Sequence, residues 1–206
     1  MPPYHCLVSE KFDIKKELRQ LYAPRAGDWS LVEVPPQQFL MVDGAGDPNT
    51  APAYAAAVEA LFGLSYAIKF ASKAAGRDFV VAPLEGLWTA DDPGSFVRND
   101  RAHWHWTMMI AQPDWVTASD VDSARAAKGI HAPQLESLSE GRSLQVLHVG
   151  PYSEEAPTLA RLHDEIMPTR SLTFNGAHHE IYLGDPRRVA PEKLRTVLRQ
   201  PVRDVS

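Results

Sequence analysis

At 206 residues, 44% of them hydrophobic and 23% charged, the chain has the makings of one large globular domain or two small modules on a shared core, and disorder is excluded. Its 21 basic and 26 acidic residues leave a formal charge of −5, which argues against direct nucleic-acid binding by phosphate neutralisation. The single cysteine, Cys6, excludes a disulfide framework or a cysteine zinc cage within the chain, and no apolar run approaches the roughly 18 residues of a membrane span.

The start, Met1-Pro2-Pro3-Tyr4-His5, lacks the basic and apolar regions of a signal peptide, so a cytoplasmic protein is expected. Residues 1–29 read as an arm. Its amphipathic stretch Lys11 to Leu21 carries Phe12, Ile14, Leu18 and Leu21, and Pro24, Gly27 and Asp28 break it. Strands are expected at Ser30–Val34 and Gln38–Asp43, on either side of Pro35-Pro36, before a loop from Gly44 to Asn49. Ala53 to Lys73 has helical spacing, with Thr50 or Asn49 as cap and Gly76 as stop. Phe79–Trp88 reads as a strand interrupted by Pro83. The polar loop Asp91–Arg101 joins it to Trp104–Gln112, whose side chains alternate between two faces. Thr117–Lys128 is a linker helix capped by Thr117 and stopped at Gly129. Gln134–Leu138 and Ser143–Val149 read as a hairpin about Ser139-Glu140-Gly141. A helix follows at Pro157–Ile166, with His163 on its inward side, and strands at His178–Leu183 and Leu194–Val202 close the chain.

The halves repeat: strand, glycine turn, helix, glutamate-bearing strand, final strand. Aligning Pro83-Leu84-Glu85-Gly86-Leu87-Trp88 with His178-His179-Glu180-Ile181-Tyr182-Leu183 predicts an α+β fold of duplicated β-α-β-β modules. These form one antiparallel sheet with two main helices packed on it and a ligand cleft at the pseudo-twofold seam. The domain then spans 30–206, with module one at about 30–116, a linker at 117–132 and module two at about 133–203.

Chemistry is sought at the seam. Glu85 and Glu180 each sit among apolar neighbours, where a carboxylate loses solvation and its proton affinity rises. Such a group serves as a general base or as counter-charge to a cation; the plainer alternative is an edge-strand glutamate facing water. Trp104, Trp106 and Met108 share one strand face, a polarizable wall for a planar ligand or else simply core. Tyr182 shares a face with Glu180 and His178, and Tyr54 and Tyr152 are rim positions. No metal site is expected, since the eight histidines make neither HExxH nor CxxC spacing. No cofactor is implied: Gly44-Ala45-Gly46 has Asn49 where a dinucleotide loop needs its third glycine, and Gly63-Leu64-Ser65-Tyr66-Ala67 lies inside a helix and cannot be a nucleophile elbow.

Three stretches, Val34 to Pro48, Pro83 to Trp88 and His179 to Arg188, resemble the GyrI-like small-molecule-binding domain, and Trp104–Val116 with Pro191–Val202 resemble its stand-alone bacterial subgroup. The resemblance covers roughly residues 12 to 202. It implies the duplicated module, the cleft between halves and a central glutamate at Glu180. Relatives of this kind bind planar aromatic cations as effector domains of multidrug-responsive regulators. Stand-alone members hydrolyse cyclopropane-bearing DNA alkylators of the yatakemycin and duocarmycin type, for detoxification or antibiotic self-resistance. The expectation is therefore a cyclopropanoid cyclopropyl hydrolase acting on a planar aromatic small molecule. Glu180 would be the base, Tyr182 the donor or water-orienting group, Trp104, Trp106 and Met108 the slot, and Glu85 a second polar group. The alternatives are a non-catalytic binder that sequesters or senses such ligands, and an interaction protein acting on a large enzyme such as a topoisomerase.

Overall fold

In this structure, a computed structural model, residues 11–92, 94–98 and 100–205 are described; Cys6 and the N-terminal pentapeptide lie outside them. Two single-turn helices, α1 (Ile14–Glu17, capped by Asp13) and α2 (Arg19–Tyr22), bury Ile14, Leu21 and Tyr22. Strands β1 (Ser30–Val34) and β2 (Gln37–Ala45) follow, separated by two prolines that have no amide for a ladder. Helix α3 (Pro52–Ala74) starts on a proline, whose missing N–H costs nothing there. The expected Asn49 or Thr50 cap does not form, because Asn49 bonds back to Asp47. β3 (Leu84–Ala90) begins later than the apolar run before it, since Phe79 bridges Phe12 instead.

α4 (Gly94–Val97) and β4 (Trp104–Gln112) precede α5 (Ala118–Lys128), which has a reciprocal Thr117–Asp120 capping box and ends at Gly129 with φ 66°. Then come β5 (Gln134–Leu138), β6 (Gly141–Val149) and α6 (Ala156–Arg161). A π-helical stretch, Leu162–Ile166, runs into α7 (Met167–Thr169). The wider turn leaves His163 exposed rather than inward, against the Phe174 ring. β7 (Leu172–Phe174), β8 (His178–Tyr182) and β9 (Arg195–Asp204) complete the chain.

All named strands join one antiparallel sheet, ordered β1-β6-β9-β8-β3-β4-β2-β5, with β7 added to β9. The order is mirrored about its central pair: β6-β9-β8 on one side, β2-β4-β3 on the other. Between β2 and β3 the chain crosses through α3, and between β6 and β8 through α6 and α7. β5 and β6 do not form a hairpin. β5 lies on β2 and β6 on β1, in a single register from Ser30↔Gln145 to Met41↔Gln134, so each is half of one interrupted strand. Gly141, at φ 62°, offsets the chain without reversing it and turns Glu140 inward.

Both crossover segments cover the same face. α3 sets Leu61, Leu64 and Ile68 into the core, while Leu162 and Met167 pack against Leu144, Val146 and Leu198. α3 is long and apolar enough to span a bilayer by length and composition, but its buried stripe is that of a core helix. The opposite face lies under α1 and α2.

Candidate functional site

In β8 the alternation of a pleated strand sends His179 and Ile181 to the α1–α2 side, both fully buried. His178, Glu180 and Tyr182 point the other way, into the seam between α3 and α6. Tyr182 donates its hydroxyl proton to Glu180 Oε2 at 2.9 Å and accepts from Trp88 Nε1 at 3.0 Å. In the β3–β8 register Trp88 stands opposite His178 and Leu84 opposite Tyr182, so the Trp88–Tyr182 hydrogen bond runs diagonally along the ladder. His178 Nε2 lies 3.5 Å from Glu180 Oε1, close enough to feel its charge without hydrogen-bonding it. Gly86 faces Glu180; a Cβ there would sit 3.1 Å from Met108 Sδ and 3.2 Å from Trp88 Nε1.

Aromatic rings surround this carboxylate. Tyr54 of α3 lies near-parallel to Trp88, centroids 6.4 Å apart, and edge-on to Trp106 at 5.3 Å. Tyr152, in the turn after β6, meets Tyr182 edge-on at 5.7 Å. All three phenols hold their protons more tightly than usual. Burial is the main cause for Tyr54 and Tyr182, followed by the charge of Glu180. Tyr152 is pushed up to about 12, by burial, then Glu155, then Glu180.

Glu155 was not legible in the sequence. It precedes α6, is only 5% exposed, and its Oε1 has no protein partner. Burial and the neighbouring Glu180 charge raise its carboxyl to about 9; the Thr196 hydroxyl nearby offsets part of this without reaching hydrogen-bond geometry. The seam therefore holds two carboxyl groups, and Glu155 holds its proton more tightly than an ordinary carboxyl does. In Glu154-Glu155-Ala156-Pro157 either acid reads as a partner for the helix dipole, and nothing in the spacing says which one turns inward.

Several expected site residues lie elsewhere. Glu85 does not face the seam: it pairs with Ile181, not Glu180, which puts it on the opposite face with no exposure. There it accepts from Tyr22 at 2.8 Å and lies 2.9 Å from His179 Nε2. His179 Nδ1 reaches Glu140, and Arg199 holds both Glu140 and the Leu21 carbonyl. Trp106 and Met108 are core, 2% and 0% exposed beneath α3, and so do not form an open slot. Trp104 sits at the rim, edge-on to Trp88 at 5.8 Å, with the Arg101 guanidinium 5.6 Å from its ring. Tyr54, Tyr152, His178 and Tyr182 are gathered round Glu180.

Among the described residues no cluster of three or more His, Cys, Asp or Glu is arranged to hold a metal ion. A separate groove of about 380 Å³ runs along the β6 edge, lined by Trp29, Val146, His148 and Arg161. Its cation is already engaged, donating to the Gly27 carbonyl and lying near Asp28.

Residues 28–203 match the profile of the GyrI-like small molecule binding domain. A conserved Listeria innocua protein of known structure is 40% identical, with a TM-score of 0.85, over 94% of this chain and 100% of its own. A Listeria innocua structure described as a hydrolase matches at the same identity and coverage with a TM-score of 0.81. The C-terminal domain of EcmrR shares the fold at 11% identity, TM-score 0.58, over 86% of this chain and 98% of that domain. Among curated proteins none matches.

Proposed function

Because the chain belongs to the GyrI-like small-molecule-binding family, we propose that its seam binds a planar aromatic electrophile in the cytoplasm and opens its strained cyclopropane by adding water. The observation that carries this reading is the Glu180 carboxylate, aimed by Tyr182 and Trp88 into an aromatic seam. The Listeria innocua relative described as a hydrolase supports it. Glu180 takes a proton from water as the oxygen bonds to the cyclopropane CH₂. The carbon–carbon bond breaks, and its electron pair passes into the conjugated ketone. Tyr182 orients the base and does not serve the oxyanion, since its one O–H is already engaged in the hydrogen bond it donates to Glu180. Ring strain supplies much of the drive, and a general base contributes about 10²–10⁴-fold.

The test is a mass-spectrometric time course with a cyclopropane-bearing duocarmycin-type compound, run on wild type and Glu180→Gln. Catalytic gain of one water, slowed about 10²-fold or more in the variant, is the expected result. A second reading, a non-catalytic binder in which Glu180 is the counter-charge to a planar cation, rests on the same carboxylate among aromatic rings. It predicts tryptophan quenching without product.

A further inference from the structure

Opening the ring needs two proton movements, and Glu180 accounts for one. The other delivers a proton to the ketone oxygen as it becomes a phenolate. Tyr182 cannot deliver it, because its O–H is given to Glu180 and Trp88 donates to the same oxygen. Tyr54 and Tyr152 hold their protons more tightly than an ordinary phenol does, so neither gives one up to a phenolate. Glu155 remains. It sits at the start of the helical wall, buried, within electrostatic reach of Glu180, with one carboxyl oxygen unclaimed by the protein.

Resting on the hydrolase reading, we propose that Glu155 is the seam's proton donor, acting with Glu180 as base on electrophiles whose reacting carbon is conjugated to a carbonyl oxygen. Water oxygen bonds to carbon as Glu180 takes its proton. The ring carbon–carbon bond breaks, its electron pair reaches the carbonyl oxygen, and Glu155 protonates that oxygen. Substrate plus water becomes the hydroxymethyl phenol, and the Glu180 proton returns to Glu155 through solvent. An acid of intermediate strength suits the step: it holds its proton more tightly than an ordinary carboxyl does and releases it to a phenolate more readily than a tyrosine does. A purely structural role explains less. Glutamine has the same shape and would spare the protein a carboxyl buried beside a carboxylate.

The titratable groups round the pair are His178 and Tyr182 from β8, Asp185 beyond it, Tyr54 from α3, and Tyr152 on Glu155's own segment. Rate profiles from pH 6 to 10 on the same cyclopropane compound, for wild type, Glu155→Gln and Glu155→Asp, separate Glu155 from these. Wild type is expected to lose kcat on an alkaline limb near pH 9. Glu155→Gln should lose that limb and about 10- to 1,000-fold in kcat, with KM within about threefold, and Glu155→Asp should restore the limb. Infrared difference spectra at pH 7 add a readout independent of turnover: a protonated carboxyl band present in wild type and absent from Glu155→Gln. An unchanged limb with kcat within about twofold, or no such band, overturns the assignment while leaving the hydrolase intact. Absence of product from wild type overturns the hydrolase reading and this proposal with it.

Discussion

Tyr182 has one O–H and donates it in a hydrogen bond to Glu180, and this decides what a substitution there reads out. Tyr182→Phe keeps the ring against Tyr152 but frees the carboxylate to rotate and leaves the Trp88 N–H without its acceptor. A hydrogen bond to a charged group is worth about 1.5–3 kcal/mol, so kcat/KM should fall about 10- to 100-fold. Affinity from tryptophan quenching should change by less than about threefold, because the ring wall survives. A loss confined to affinity would show that the hydroxyl binds and does not orient. The same strand shows what was readable. Glu180, Tyr182 and His178 follow from a period of two along one segment. Glu85 misled because the two glutamate strands were aligned one residue out of register, and a one-residue slip in a strand exchanges its faces. Ladder pairing, Glu85 with Ile181 and Gly86 with Glu180, is information between segments that neither segment contains.

At the scale of elements the sequence was a good guide wherever a stop or cap acts locally. α5 runs from the Thr117 box to Gly129, and β4 covers Trp104–Gln112 as expected, because capping and alternation are decided within a few residues. The hairpin at Ser139–Gly141 failed for the converse reason. Glycine at positive φ serves a reversal and a bulge equally well, and the choice is made by β1 and β2, a hundred residues upstream. Glycines also tie the elements to the seam. At Gly44 of β2 the space a Cβ would need is filled by the Trp106 indole, which is itself held edge-on by Tyr54. The ring has no free direction to yield. Gly44→Ala should therefore cost about 1–3 kcal/mol, a drop of roughly 3–10 °C in Tm, and weaken ligand quenching by displacing Tyr54. An unshifted melting curve would mean that the strand itself moves aside.

For the whole molecule, the two faces of the sheet make opposite demands on protons. Under α1 and α2, Tyr22, Glu85, His179, Glu140 and Arg199 form a chain of buried polar contacts linking the N-terminal segment to both modules. Burial works against a charged His179, but Glu140 and Glu85 outweigh it and raise the imidazole to about 8. Burial likewise opposes ionised Glu140, yet His179 and Arg199 hold that carboxyl down at about 2. The stabilisation from His179 is complete below its unfolded value of 6.5 and is lost as pH rises through about 8, on the order of 2 kcal/mol. That from Glu140 is present above 4.5 and is lost as pH falls through about 2. On the helix-covered face Glu155 adds to the alkaline loss, because ionising it in the folded state becomes costly between 4.5 and about 9. Thermal unfolding should thus show its highest Tm near pH 4.5–5 and a steady fall toward pH 9. Glu155→Gln should flatten part of that fall and melt higher than wild type at pH 9. His179→Gln should lower Tm at every pH, since it strands Glu85 and Glu140, and should remove the remaining slope between 6.5 and 8. A wild-type Tm that is level from pH 6 to 9 would mean that neither network titrates in this range. A Glu155→Gln variant that is more stable yet slower would place the cost of that buried carboxyl in the chemistry of the seam and not in the fold.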